Sequence, residues 1–318
     1  MHADRRRRAT LVGLTAVLMW SLLGLFAAGS GAVPPFLLNA LCFGLSGLGA
    51  CLWLAVSGRG FSALRQPAKV WVLGVVGLFG FHALYFTAIR NAPPVEANLI
   101  NYLWPLLIVL FSGLLPGERL RWHHLAGVAV GFIGAALLIT RGGGLALSGE
   151  HAFGYGAAIA SALTWSSYSV LSRRLPQVPS EAVAGFCLAT GVLSLACHLA
   201  LETTVLPEGV FQWSMVLALA VFPVGLAFFV WDHGVKHGDI QVLGASAYAA
   251  PVLSTLVLIL AGYGAFSVEV AAACAFVTGG ALLASKDLLF GGKAGPAGDG
   301  QPGADGSQPS GAISKPEN

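Results

Sequence analysis

Charge is what this sequence has least of: 10% of its 318 residues are Asp, Glu, Lys or Arg, and the net charge is only +3. So small a surplus leaves no electrostatic footprint for nucleic acid. It also cannot clothe a soluble domain that is 56% hydrophobic. The ligand patterns of metal sites are missing as well. Five cysteines (Cys42, Cys51, Cys187, Cys197 and Cys274) lie inside apolar runs with no CxxC pair, so they read as small packing residues. Neither HExxH nor a P-loop occurs, and no metal or cofactor is expected. What the chain does have is apolar runs of about 20 residues along its whole length, the pattern of an all-α polytopic membrane protein.

The runs are Thr10–Ala28 and residues 34–57, 70–89, 95–115, 122–140, 153–172, 181–201, 212–235, 241–262 and 267–285, ten in all. Arg5 to Arg8 ahead of the first run, with Ser30-Gly31-Ala32 behind it, imitate a secretory signal. The later counterpart of this run argues instead for a retained span. With the N-terminus cytoplasmic, 15 of the 17 Lys and Arg fall inside, leaving Arg90 and Arg141 outside. Both termini are then cytoplasmic. The tail at 291–318, rich in Gly, Pro, Ser, Ala and Asp, cannot bury enough to order itself and reads as disordered.

A repeat lies under the spans. A shift of 145 residues lays Trp20-Ser21 on Trp165-Ser166 and Cys42 on Cys187; a shift of 146 lays Arg90 on Lys236, Tyr102 on Tyr248 and Pro105 on Pro251. The expected domains are therefore 1–141 and 142–290. Each holds five spans, an odd number, so the second enters the membrane inverted. Inverted repeats of this kind belong to alternating-access transporters, with the site near the midplane.

The most informative stretch is Asn98-Leu99-Ile100-Asn101-Tyr102-Leu103-Trp104-Pro105. Asn98, Asn101, Tyr102 and Pro105 fall at i, i+3, i+4 and i+7 and share one helical face. Pro105 has no N–H and should free the carbonyl of Asn101, as Pro251 should free that of Ala247. In hydrocarbon such groups are tolerated where protein or a wet cavity satisfies them. Matching stripes run through Gly244, Tyr248, Pro251 and Thr255; through Ser161, Trp165, Tyr168 and Ser172; and through Gly13, Val17, Trp20 and Gly24. They predict a pocket walled by Trp20, Tyr102, Trp165 and Tyr248, with Asn98, Asn101, Trp104 and Tyr168 nearby and hinges at Pro105 and Pro251. Trp71, Trp122 and Trp213 sit at run ends, as an interfacial belt would place them.

Ionisable groups inside spans are functional candidates by default. His82 and Asp232 are the candidates for substrate contact and ion coupling. The structural alternatives are a neutral His82 donating to a backbone carbonyl, and Asp232 paired with His233 or Lys236. Glu118, beside Arg119 and Arg121, reads as one side of a structural ion pair, and Arg90 and Lys236 as rim anchors on opposite faces. Glycines 74, 77 and 80, and Gly127-x-x-x-Gly131, read as packing. An intramembrane serine hydrolase is the competing class, because Gly44-Leu45-Ser46-Gly47 fits GxSG with His82 or His198 as base. The repeat counterpart of that motif, Ala189-Thr190-Gly191-Val192, loses the serine.

The ten-span body resembles the drug/metabolite transporter superfamily, built from EamA-type repeats. Ala9-Thr10-Leu11-Val12-Gly13-Leu14 with Trp20-Ser21, Asn101-Tyr102-Leu103-Trp104-Pro105, and Ser246-x-Tyr248-x-x-Pro251-Val252-Leu253-Ser254 resemble the YddG-type aromatic amino acid exporters. The resemblance implies a monomeric plasma-membrane exporter of aromatic and other neutral amino acids, with small cationic drugs such as paraquat or other metabolites as the runner-up. The chain departs from that pattern at Trp231-Asp232, where Trp-Asn is expected, and at His82, which the family does not require.

Overall fold

Proline and short polar side chains set where the helices begin. Pro35 and Pro94 stand in the first turns of their helices, where a missing N–H costs nothing. Asp239 accepts from the amides of Gln241 and Val242, and Ser267 from that of Val270. The computed structural model describes residues 2–142, 147–262 and 265–286. The expected tail at 291–318, and the inside charges Lys293 and Lys315, lie outside the described residues.

The helical segments are α1 (Asp4–Gly29), α2 (Pro35–Val56), α3 (Ala68–Asn91), α4 (Pro94–Ser112), α5 (Trp122–Thr140), α6 (Ala152–Ser172), α7 (Ser180–Leu201), α8 (Gly209–His237), α9 (Ile240–Leu260) and α10 (Val268–Ala284). There is no strand among the described residues. Among the described residues, eight segments are long and apolar enough to cross a membrane, where the sequence led us to expect ten. The two that fall short have physical reasons. In α6, Ser161, Thr164, Ser166 and Ser169 dilute the hydropathy, and three of these four are wholly buried. In α10 the helix is 17 residues long.

The segments pack as α5 with α10, α2 with α7, α1 with α8, α3 with α6, and α4 most extensively with α6 and also with α9. Missing side chains allow the closest of these approaches. A Cβ on Gly13 of α1 would lie 2.9 Å from the Cα of Gly234 in α8, and one on Gly127 of α5 would lie 2.6 Å from the carbonyl of Gly280 in α10. Trp71 is half-buried: its ring meets Phe186 edge-on at 5.5 Å and lies against Gly185. Trp122 and Trp213 are exposed.

Besides α1, which stops after Trp20 and resumes at Leu23, four segments are interrupted. In α4 the helix stops after Asn101 and resumes at Trp104; in α9 it stops after Ser246 and resumes at Ala249. These are the breaks that Pro105 and Pro251 predict. One detail differs: the carbonyl of Ala247 is not free, because the amide of Ala250 tightens onto it at 3.0 Å. The sequence did not signal the other two. Each of α3 and α8 widens into a single π turn, at Val76–Gly80 and Phe222–Leu226. Pro223 explains the second, having no N–H to give.

Candidate functional site: a tryptophan tetrad

The interruptions bring four indoles together. Trp20 (α1), Trp104 (α4), Trp165 (α6) and Trp231 (α8) lie within 5.0 to 6.3 Å of one another, centroid to centroid, in all six pairings. Most pairs meet edge to face, the arrangement that the ring quadrupole favours, and each contributes roughly 0.5–1.5 kcal/mol beyond burial. Phe228 joins them 6.1 Å from Trp20 and 5.6 Å from Trp165.

Backbone irregularity holds the rings. The Trp20 indole N–H donates to the carbonyl of Pro223, in the π turn of α8, at 3.1 Å. Trp231 donates to Ser169 Oγ at 3.1 Å, and Ser166 Oγ donates to the Trp104 carbonyl, at the α4 break, at 3.0 Å. The N–H groups of Trp20 and Trp231 are therefore already engaged.

Around the tetrad stands a second shell of sequence-predicted residues. Tyr168 lies 5.3 Å from Trp165. His82 is enclosed by Phe43 and Phe81, each at 5.0 Å, with Phe86 and Phe228 at 6.2 Å. Its Nδ1 lies 2.7 Å from the carbonyl of Leu78, within the π turn of α3. A carbonyl can only accept, so Nδ1 carries the proton and Nε2 is left as an acceptor. Asn98 accepts from the Tyr85 hydroxyl at 2.5 Å. Asn101 is 5% exposed, and its Oδ1 has no hydrogen-bond partner. A buried carbonyl oxygen in that state is under-satisfied by about 1–3 kcal/mol.

Two of the expected wall residues are not part of the tetrad. Tyr248 is fully buried and packs on Phe132 at 5.9 Å and on Gly131. Tyr102 borders that second cluster, formed by α5, α9 and α10. The face of α9 that carries Tyr248 turns to α5 and not to the indoles. Trp231, Phe228 and Phe43 were missed. The spacing of Phe228 and Trp231, i and i+3 beyond Pro223, was the available signal.

The ionisable groups are mostly spoken for. Asp232, 2% exposed, accepts from Lys236 at 2.7 Å and from Ser180 at 2.6 Å. Lys236 also donates to the carbonyl of Val178 at 2.9 Å, so it points inward and is no rim anchor. Arg90 pairs with Glu202 at 2.5 Å; this carboxylate also accepts from the amides of Phe36 and Leu37 at the start of α2. Glu118 pairs with Arg6 and Arg173, which come from far along the chain.

The GxSG motif is a packing face. A Cβ on Gly47 would lie 2.7 Å from the amide of Leu188, and one on Gly191 would lie 2.8 Å from that of Gly44, so α2 and α7 touch backbone to backbone. His198 is held by Glu202 and Thr204, and His82 by Leu78. A cavity of about 300 Å³ lies between the loops at Arg59–Gln66 and Pro179–Glu181, away from the indoles. Beside Tyr168, Asp232 and Lys236 the void is about 10 Å³, too small for any substrate.

Broken helices meeting around buried aromatics, in a chain of apolar spans, are the architecture of a transporter. The family model described as the EamA-like transporter family matches twice, over residues 7–140 and 152–286. The chain belongs to this family. It is a multi-pass membrane protein, and its relatives are named as transporters. The aromatic amino acid exporter YddG of Ancylobacter novellus is 54% identical over 88% of this chain and 98% of its own length. Its namesake in Escherichia coli is 27% identical over 87% and 97%. A crystal structure of a protein 52% identical superposes with a TM-score of 0.84, covering 88% of this chain and 98% of that one.

Proposed function

We propose that this protein exports aromatic and other neutral amino acids across the plasma (inner) membrane by alternating access, as a monomer, and is not an enzyme. The observation that carries this reading is the tetrad of Trp20, Trp104, Trp165 and Trp231. It offers flat, polarisable faces to a ring and to an ammonium, each cation–π contact contributing on the order of 1 kcal/mol. Asn101 Oδ1 adds an acceptor in need of a donor.

Charge favours a zwitterion over a cationic drug. A dication needs a buried countercharge. The acid closest in sequence to the tetrad, Asp232, is already neutralised by Lys236. The indoles leave no amino-acid-sized space between them, so this conformation is closed at the tetrad, and loading requires the helices that carry it to part.

The transporter has ten spans in two inverted halves, 1–141 and 142–290, with both termini cytoplasmic. Two further findings support that reading. The π turns Val76–Gly80 and Phe222–Leu226 are offset by the 146 residues that superpose Pro105 on Pro251. The main helix pairings also exchange with the halves: α2–α7, α4–α9 and α5–α10 map onto themselves, α1–α8 maps onto α3–α6, and α4–α6 maps onto a less extensive α1–α9 contact.

Flux into proteoliposomes is the test. Phenylalanine, tryptophan and large neutral amino acids should move down their gradients, whereas paraquat-like dications should not. Transport of dications without amino acids would install the cationic-drug reading instead.

A further inference from the structure

The two ends of the bundle are fastened differently. At the end that carries most of the arginines, α1 and α8 cross through Gly13 and Gly234. Thr10 Oγ1 of α1 accepts from the Asp239 amide at 2.8 Å, and Arg6 pairs with the Asp239 carboxylate at 3.1 Å. Arg173, at the end of α6, donates to the carbonyls of Val235 at 2.7 Å and Gly238 at 2.9 Å. The ends of α1, α6 and α8 thus form one connected body.

Into this body plugs the turn between α4 and α5. Glu118, its side chain 8% exposed, is gripped by Arg6 at 3.1 Å and by Arg173. Arg174 donates to the Leu114 carbonyl at 3.0 Å, and Gln241 to that of Arg119 at 3.3 Å. Beyond the tetrad, toward the other end, the situation is reversed. Among the described residues no ion pair or side-chain hydrogen bond joins the α1–α8 pair to the α3–α6 pair there.

We propose that Glu118, held between Arg6 and Arg173, is the latch of the cytoplasmic gate. The gate leaf is the second piece of α4, from Trp104 to the turn at Glu118. It hinges at the Tyr102–Leu103 break, so a single swing releases Trp104 from the tetrad and Glu118 from its arginines. This inference rests on the proposed orientation, with the arginine-rich end cytoplasmic. The latch is built to open. Arg173 keeps carbonyl partners when Glu118 leaves, Arg6 keeps Asp239, and Glu118 returns to water, so no charge is stranded. The other end has its own ion pair, Arg90 with Glu202, but it joins α3 to the end of α7 and not the α1–α8 pair to the α3–α6 pair. With that seam latched by charge only at the arginine-rich end among the described residues, the empty protein rests closed toward the cytoplasm.

The test uses the full-length protein in vesicles, with Ser112→Cys as reporter. Ser112 is fully buried on α4, just inside the turn. A membrane-impermeant thiol reagent is applied to the cytoplasmic face, and labelling at position 112 is read by peptide mass spectrometry, so the native cysteines stay in place. Adding Glu118→Gln, which keeps shape and loses charge, should raise the labelling rate about tenfold, and Arg6→Gln about threefold. Asp239 is left untouched because it caps α9. The same variants should lower the apparent KM for cytoplasmic substrate and raise it for external substrate. Unchanged labelling in both variants overturns the latch. If Glu118→Gln fails to fold, Arg6→Gln, at the half-exposed rim of the cluster, decides alone. If no amino acid is transported by any form, the labelling arm still reads the gate, so failure of the substrate reading is separable from failure of this one.

Discussion

Helices α4 and α9 share a Tyr-x-x-Pro sequence and a break at the same register, yet they do different work. In α4 the break delivers Trp104 to three other indoles and leaves Asn101 Oδ1 without a partner. In α9 it delivers Tyr248 to a closed contact with Phe132 and Gly131, and the Ala247 carbonyl is already satisfied. Duplication copied the backbone interruption and not the chemistry placed on it. One copy packs into the tetrad that we propose as the substrate site, and the other packs against α5 and α10.

The sharpest way to break this comparison is to truncate both. Trp104→Ala and Trp165→Ala should each cut amino acid flux per folded molecule at least tenfold, because each removes one wall of the tetrad, while thermal stability falls modestly. Tyr248→Ala should do the reverse. Truncating a fully buried aromatic costs about 3–5 kcal/mol, so folded yield and melting temperature drop while flux per folded molecule stays within about threefold. Flux and melting curves on the same detergent-purified samples check both. A collapse of flux in Tyr248→Ala at unchanged stability would return Tyr248 to the pocket wall.

Next in size are the hinges. Pro105→Ala supplies an N–H to Asn101 and lets α4 run through its break, which should stiffen the gate leaf and slow exchange roughly fivefold. Pro251→Ala, in α9, should change flux less than twofold. Equal effects would mean that both breaks move in every cycle.

How far these roles could be read from the sequence depends on what creates them. The breaks at Pro105 and Pro251 were legible because a missing N–H is a local fact. Trp20 and Trp165 were legible because both lie deep in apolar runs and recur at one offset. The partner of a stripe was not legible. The Tyr248 stripe follows the same period as the Trp165 stripe, and only packing decides that it faces α5. The π turn of α3 was hidden too, since Gly74, Gly77 and Gly80 serve close packing equally well; Gly74 and Gly77 do lie against Phe186 and Tyr168. Glu118 shows the limit most clearly. Proximity in sequence offered Arg119 and Arg121, whereas the fold supplies Arg6 and Arg173 from 112 and 55 residues away.

The smallest expected effect concerns energy coupling, and there it is none. A proton-driven exporter needs a group that titrates near neutral pH and changes its exposure between the two faces of the membrane. His82 sits in a shell of Phe43, Phe81, Phe86 and Phe228 with its Nδ1 proton on Leu78, and Asp232 is locked by Lys236 and Ser180. Neither is placed to exchange a proton as the gate swings, since both are bonded within their own half. With equal phenylalanine on both sides of a vesicle, an imposed pH gradient should therefore produce no net accumulation. His82→Gln should leave that result and downhill flux unchanged. Asp232→Asn strands the Lys236 ammonium and should cost about 3–5 kcal/mol of stability. The double change Asp232→Asn with Lys236→Met removes that stranded charge and separates folding from coupling. Uphill accumulation in the parent that vanishes in either His82→Gln or the double variant would make that residue the coupling site and end the facilitator reading.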